Sequence, residues 1–156
     1  MTTTFADYSA TAEARKNIAQ AVLGHTLALC EALRQNYIDY SIKSHERSIY
    51  LADAGDSYSK NYHTACVNEL KNGICDYEFV IETGRKYHKI IMVIQNDGRD
   101  PSRSVHAFVD KQTGEVYKSA SWKSPAKGVR YDLRLIQDRE HLLEKADWAG
   151  SYLYAR

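Results

Sequence analysis

Between Thr11 and Gln35 the apolar positions Ile18, Val22, Leu23, Leu27, Cys30 and Leu33 recur mostly three or four apart, the repeat of one helical face. This spacing predicts a helix over 11–35, with Thr11 as its N-cap and Glu13 in the first turn, where a carboxylate suits the helix dipole. The following stretch, "NYIDYSIKSHERSIYLADAGDSYSKNY", keeps no single period. Tyr37, Tyr40, Ile42, Ile49, Tyr50 and Leu51 do not share a face, and a short helix near Glu46 to Ala54 is the expectation there. From Ser57 to Lys71 the helical repeat returns in Tyr58, Tyr62, Ala65, Cys66 and Leu70, and Gly73 is placed to end it.

After Gly73 the pattern shortens to that of strands. "YEFVIET" (Tyr77 to Thr83) and "YHKIIMVIQ" (Tyr87 to Gln95) are rich in β-branched and aromatic residues, and the intervening "GRK" suits a tight hairpin. "NDGRDPSR" collects loop formers, and "SVHAFVD" and "EVYKSAS" then flank "KQTG", whose Gly suits a left-handed turn position. Four strands on short links predict an antiparallel β-meander covered by the N-terminal helices, an α+β fold. Beyond Pro125 and Gly128, Leu135, Ile136, Leu142, Leu143 and Ala146 predict a closing helix over 132–148, and "GSYLYAR" a short tail strand or packed turn. With 156 residues and no repeat or linker, one domain is the expectation, helical over 1–73 and sheet over 77–121.

Composition changes this picture little: 44% hydrophobic and 26% charged residues exclude a disordered or fibrous chain. The start of the chain lacks the basic and apolar runs of a secretory signal, and no apolar stretch reaches membrane-spanning length, so a soluble protein that stays where it is made is expected. Three cysteines without CxxC spacing read as reduced thiols. Charge is more informative. The net +1 divides into 7 Lys and Arg against 11 Asp and Glu from Met1 to Gly84, 10 against 4 from Arg85 to Arg130, and 4 against 5 from Tyr131 to Arg156. A partner that reads charge meets a positive middle.

Catalytic chemistry finds little support. None of the six histidines forms HxH, HExxH or another metal-ligand spacing, and His63 with Cys66, three apart on a helix, is the best pairing for a thiolate nucleophile or a metal. Asp53 with Asp56 and Glu78 with Glu82 can each face one way, but a catalytic carboxylate pair needs burial to split its pKa values. No phosphate-binding glycine loop is present. No cofactor or metal is expected, and binding rather than turnover is the reading. The twelve tyrosines, five of them between Tyr37 and Tyr62, suit either a contact face or the edge of a modest core.

The stretch "SASWKSPAKGVRYDLR", with Lys118 just before it, mixes what single-strand binding requires: Lys118, Lys123, Lys127, Arg130 and Arg134 to follow a phosphate backbone, Trp122 and Tyr131 to stack on bases. Arg103, with Arg85, Lys86, Lys89 and Arg99, extends the basic patch. Alternation offers a rival: Val116, Lys118, Ala120 and Trp122 share one strand face, so lysine stems can simply pack over an indole. A protein-binding surface fits the same residues.

"RSVHAFVDKQTGEVYKSASWKSPAKGVRYDL" (Arg103 to Leu133), with "GRKYHKIIMV" before it and "GSYLYAR" after, resembles small uncharacterised proteins encoded by tailed bacteriophages, a likeness that covers Tyr77 onward. The resemblance implies a phage gene product in the bacterial host cytoplasm that binds a protein or a nucleic acid. The expectation is therefore a non-enzymatic phage accessory protein with a host or phage protein as partner. Nucleic-acid binding through Arg103, Lys118, Trp122, Lys123, Lys127, Arg130 and Tyr131 is the alternative. No membrane contact is expected, and a homo-oligomer paired through a sheet edge stays open.

Overall fold

A computed structural model describes residues 4–154 of the chain, at Ala10 the backbone alone; Ala155 and Arg156 of the expected tail lie outside the described residues. Its first helix begins at Thr4 rather than Thr11. The Thr4 hydroxyl accepts from the Asp7 N–H at 3.1 Å while the Asp7 carboxylate accepts from the Thr4 N–H at 3.4 Å, a reciprocal cap that satisfies two otherwise orphaned donors. Thr11 lies inside the helix, where its hydroxyl donates back to the Asp7 and Tyr8 carbonyls. Both prolines of the chain, Pro101 and Pro125, stand far downstream, so nothing interrupts the ladder. α1 runs unbroken from Phe5 to Leu51, 47 residues, and absorbs the separate short helix expected near Glu46. At the helical rise it is roughly 70 Å long.

The lost periodicity after Asn36 has a physical reason: α1 changes partners. Val22, Leu29 and Leu33 are fully buried against the sheet. Farther along, Tyr37 stacks on Tyr77 with centroids 3.8 Å apart, and His45 turns to the second helix. That helix, α2 (Ser57–Lys71), is capped by the Asp56 carboxylate, which accepts from the Ser59 N–H at 3.0 Å. Gly73 ends it in the left-handed region at φ 81°, with Ile74 N–H on the Glu69 carbonyl and Gly73 N–H on that of Leu70. This is a Schellman stop, as the sequence predicts.

Five antiparallel strands in sequential order form the sheet: β1 (Tyr77–Thr83), β2 (Tyr87–Asn96), β3 (Arg99–Asp110), β4 (Glu115–Lys118) and β5 (Tyr131–Asp132). The architecture is α+β, as expected, with one more strand than the sequence suggests. Strands β2 and β3 run on through most of the expected "NDGRDPSR" loop and leave Asp97 and Gly98 as the turn. Pro101 is tolerated inside β3 because β4 pairs with residues 107–109 alone, which leaves that end of β3 with an open edge. Between β3 and β4, Asp110 Oδ1 accepts the Gln112 and Thr113 N–H groups at 2.9 and 3.0 Å, and Gly114 supplies the φ of 76°.

The closing helix is shorter than expected. Tyr131 and Asp132 are drawn into the sheet as β5, and α3 spans Ile136–Lys145. A 3-10 turn at Ser151–Leu153 packs back on the core, settling the tail as a packed turn. Register places Ile90, Ala107, Val109, Val116 and Tyr131 on the face covered by α1, α3 and this turn. Lys89, Phe108 and Tyr117, each one residue out of step, point to the opposite face, which no described helix covers. No described helix is long and apolar enough to cross a membrane.

Candidate functional site

The uncovered face carries the residue that stood out in the sequence. β4 ends at Lys118, after which the chain folds into a loop closed by a bridge between Ser119 and Pro125. Within it the Ala120 and Ser121 N–H groups both donate to the Ser124 carbonyl, at 3.0 and 3.1 Å, and the Ser121 hydroxyl oxygen accepts from the N–H groups of Lys123 and Ser124. The Ala126 N–H donates to the Lys118 carbonyl at 2.7 Å. A loop with its backbone so fully engaged presents Trp122 in one fixed place, 42% exposed.

The cations around that indole are already occupied. Lys89 Nζ stands 4.6 Å from the Trp122 ring centroid, and the Arg103 guanidinium stands 5.8 Å from it. Both also meet Glu82, Lys89 at 4.0 Å and Arg103 at 3.4 Å. The Lys89 side chain is only 15% exposed, and its Nζ also stands 5.9 Å from the Phe108 ring centroid. Glu82 is thus the acid of this cluster rather than half of a catalytic pair, and Glu78 likewise faces Arg34 at 3.6 Å. Sequence reasoning missed this role, although the "GRK" hairpin fixes Glu82 directly opposite Lys89 across β1 and β2, where unlike charges stabilise.

The rest of the expected contact set disperses. Lys118 pairs with Ala107, on the helix-covered side, and stands over the Tyr154 ring at 4.5 Å; the face it was expected to share with Trp122 ends where β4 does. Arg130 is a clamp: Nε donates to the Leu153 carbonyl at 2.6 Å and Nη1 to the Lys127 and Gly128 carbonyls. Tyr131 is 6% exposed and its hydroxyl donates to the Tyr152 carbonyl at 2.8 Å, so it cannot stack on a base. Lys123 is exposed on the Trp122 loop, and Lys127 is exposed just beyond its closing bridge. Of the seven residues, Arg103, Trp122, Lys123 and Lys127 are at the surface.

The His63 and Cys66 pairing gives way to other contacts. His63 Nδ1 lies 2.8 Å from His45 Nδ1, where burial and then the neighbouring ring hold His45 below the ordinary histidine range. Cys66 instead meets the Tyr62 hydroxyl, which raises that phenol. Cys30 is buried, which pushes its thiol up to about 12, an inert state. Among the described residues no group of three or more His, Cys, Asp or Glu side chains is placed to hold a metal ion.

The model of a family of unknown function, DUF7717, matches residues 5–155 of the chain. The chain belongs to that family. The match takes in α1 and α2 as well as the sheet, α3 and the C-terminal turn of this DUF7717 chain. No curated protein and no solved structure matches it.

Proposed function

We propose that this chain is a non-enzymatic accessory protein of a tailed bacteriophage that works in the host cytoplasm by binding a host or phage protein, with Trp122 as the anchor. One observation carries the reading: an indole held half-exposed on a loop whose own hydrogen bonds fix it. Tryptophan on a rigid support pays little ordering entropy on binding and is enriched among the residues that dominate interface energies. Lys89, Arg103 and Glu82 ring it with polar groups, the arrangement of an anchor inside a polar rim. The likeness of Arg103 to Leu133 to tailed-phage proteins supports the setting. Strand tracking is less well served, because Arg130 and Tyr131 are engaged in the fold and Lys118 stands on the other side of the sheet.

Photo-crosslinking tests this. A benzophenone amino acid at position 122 should give one discrete protein adduct in extract of bacteria expressing the chain, unchanged by nuclease and lost on protease treatment. Competition by the unlabelled wild-type chain should fall about 30-fold with Trp122→Ala, the equivalent of about 2 kcal/mol at an anchor residue. An adduct that nuclease removes would establish the nucleic-acid alternative instead, and absence of any discrete adduct would defeat the proposal.

A further inference from the structure

On the helix-covered side, beyond the end of β4, the sheet and the C-terminal turn enclose a cavity of about 380 Å³. This is within the size range of small-molecule sites. Its walls include Met92, His106, Lys118, Trp148 and Tyr154, and neither Asp nor Glu lines it. The nearest acid of the turn, Asp147, is spent on the Ser151 hydroxyl at 2.6 Å and on the Ser151 and Tyr152 N–H groups.

Hydrogen bonding fixes what His106 offers. Its Nε2 lies 2.7 Å from the Tyr152 hydroxyl, and burial holds the imidazole at about 4 and the phenol well above its ordinary value, so both are neutral at physiological pH. The buried Tyr152 hydroxyl has no other acceptor among the described residues, so it donates to Nε2. A neutral ring that accepts at Nε2 carries its proton on Nδ1. Nδ1 has no partner among the described residues, yet no buried side-chain nitrogen or oxygen there lacks one, so Nδ1–H opens onto the cavity that the ring lines. Lys118 adds an ammonium with no carboxylate partner among the described residues, held over the Tyr154 ring at 4.5 Å. The polar side chains of this cavity thus supply donors and a positive charge, and Trp148, Tyr154 and Met92 supply apolar walls.

We propose that this cavity binds a small organic carboxylate, its anionic group on Lys118 and the His106 Nδ1–H and its apolar body against Trp148 and Met92. The cavity meets the Trp122 loop at Ser119, but the indole does not line it, and neither proposal depends on the other.

The chain has two tryptophans, so in a Trp122→Phe background the fluorescence reports Trp148 alone. Titration with phenylacetate, benzoate and hexanoate should give a saturable change with at least one of them. Phenylacetamide, isosteric but neutral, should bind at least about tenfold more weakly, as should the preferred acid to Lys118→Met, while Lys123→Met changes nothing; tenfold corresponds to about 1.4 kcal/mol. As a check that needs no change to the wall, the His106 Nδ1–H resonance should shift on adding the acid to the wild-type chain. The proposal is overturned if none of the three acids saturates by roughly 10 mM, well above millimolar dissociation constants. It is equally overturned if the neutral amide binds as well as the acid, or if the His106 resonance stays where it was.

Discussion

The two faces of the sheet solve opposite problems with nearly the same strands. On the helix-covered face, Ile90, Ala107, Val109 and Val116 are sealed by α1, α3 and the C-terminal turn, and even the polar members are tied in: Tyr131 donates to a carbonyl, and Arg130 clamps the turn from the edge. Among the described residues the opposite face has a loop over it and no helix. There, Phe108 is flanked by amphipathic side chains, with Lys89 Nζ 5.9 Å from its ring centroid and Tyr87 edge-on at 5.7 Å. On the open face Glu82 and the Trp122 ring engage Lys89 and Arg103, whereas Arg85, Lys86, Arg99, Lys123 and Lys127, elsewhere in the positive middle segment, are exposed.

The largest effect that sharpens this contrast is on stability. Leu33→Ala on α1 removes a fully buried side chain from the closed face and should lower unfolding free energy by about 3 to 4 kcal/mol in urea titration. Trp122→Ala on the open face, half-exposed to begin with, should cost no more than about 1 kcal/mol by the same measurement. Equal losses would mean that the loop is part of the core and the two faces are not distinct.

Acid should act through the closed face. Burial outweighs the opposing charge of Asp147 and holds the His106 imidazole at about 4, against 6.5 for a free histidine. The unfolded chain therefore binds a proton that the folded one refuses between those values, and stability falls as pH drops through that window. The loss attributable to His106 is about 3 kcal/mol, complete below pH 4. His25, His45 and His88 are lowered by burial in the same direction and add to the slope. His106→Gln should flatten the urea midpoint against pH over this range; an unchanged slope would show that His106 is not the group responsible.

Much of the fold was legible because local rules and tertiary packing agreed. The Gly73 stop, the "KQTG" hairpin and the strand pairs each rest on a few adjacent residues, and each forms as expected. The length of α1 was not legible, since positions 36–51 serve the sheet, Trp148 and α2 in turn, and a helix with several partners shows no single repeat. At the candidate site, sequence identified Trp122 but grouped it wrongly. Alternation through "EVYKSASW" assumes a strand that continues, whereas β4 stops at Lys118. The fate of Tyr131 and Arg130 depends on partners more than twenty residues away, at Tyr152 and Leu153, which no local pattern reveals. The cavity was invisible for the same reason, although a histidine set inside the apolar run "SVHAFVD" was a signal that its ring needed a partner.

The engagement of Lys89 and Arg103 by Glu82, and the dispersal of Lys118, Arg130 and Tyr131, support Trp122 as an anchor for a protein rather than for a nucleic-acid strand. Fluorescence anisotropy of a labelled single strand, titrated with the chain at low salt and again at rising salt, tests this reading most directly. The account predicts no saturable binding even in dilute buffer. Saturable binding that weakens steeply with salt, as release of counterions from several phosphates requires, would contradict it.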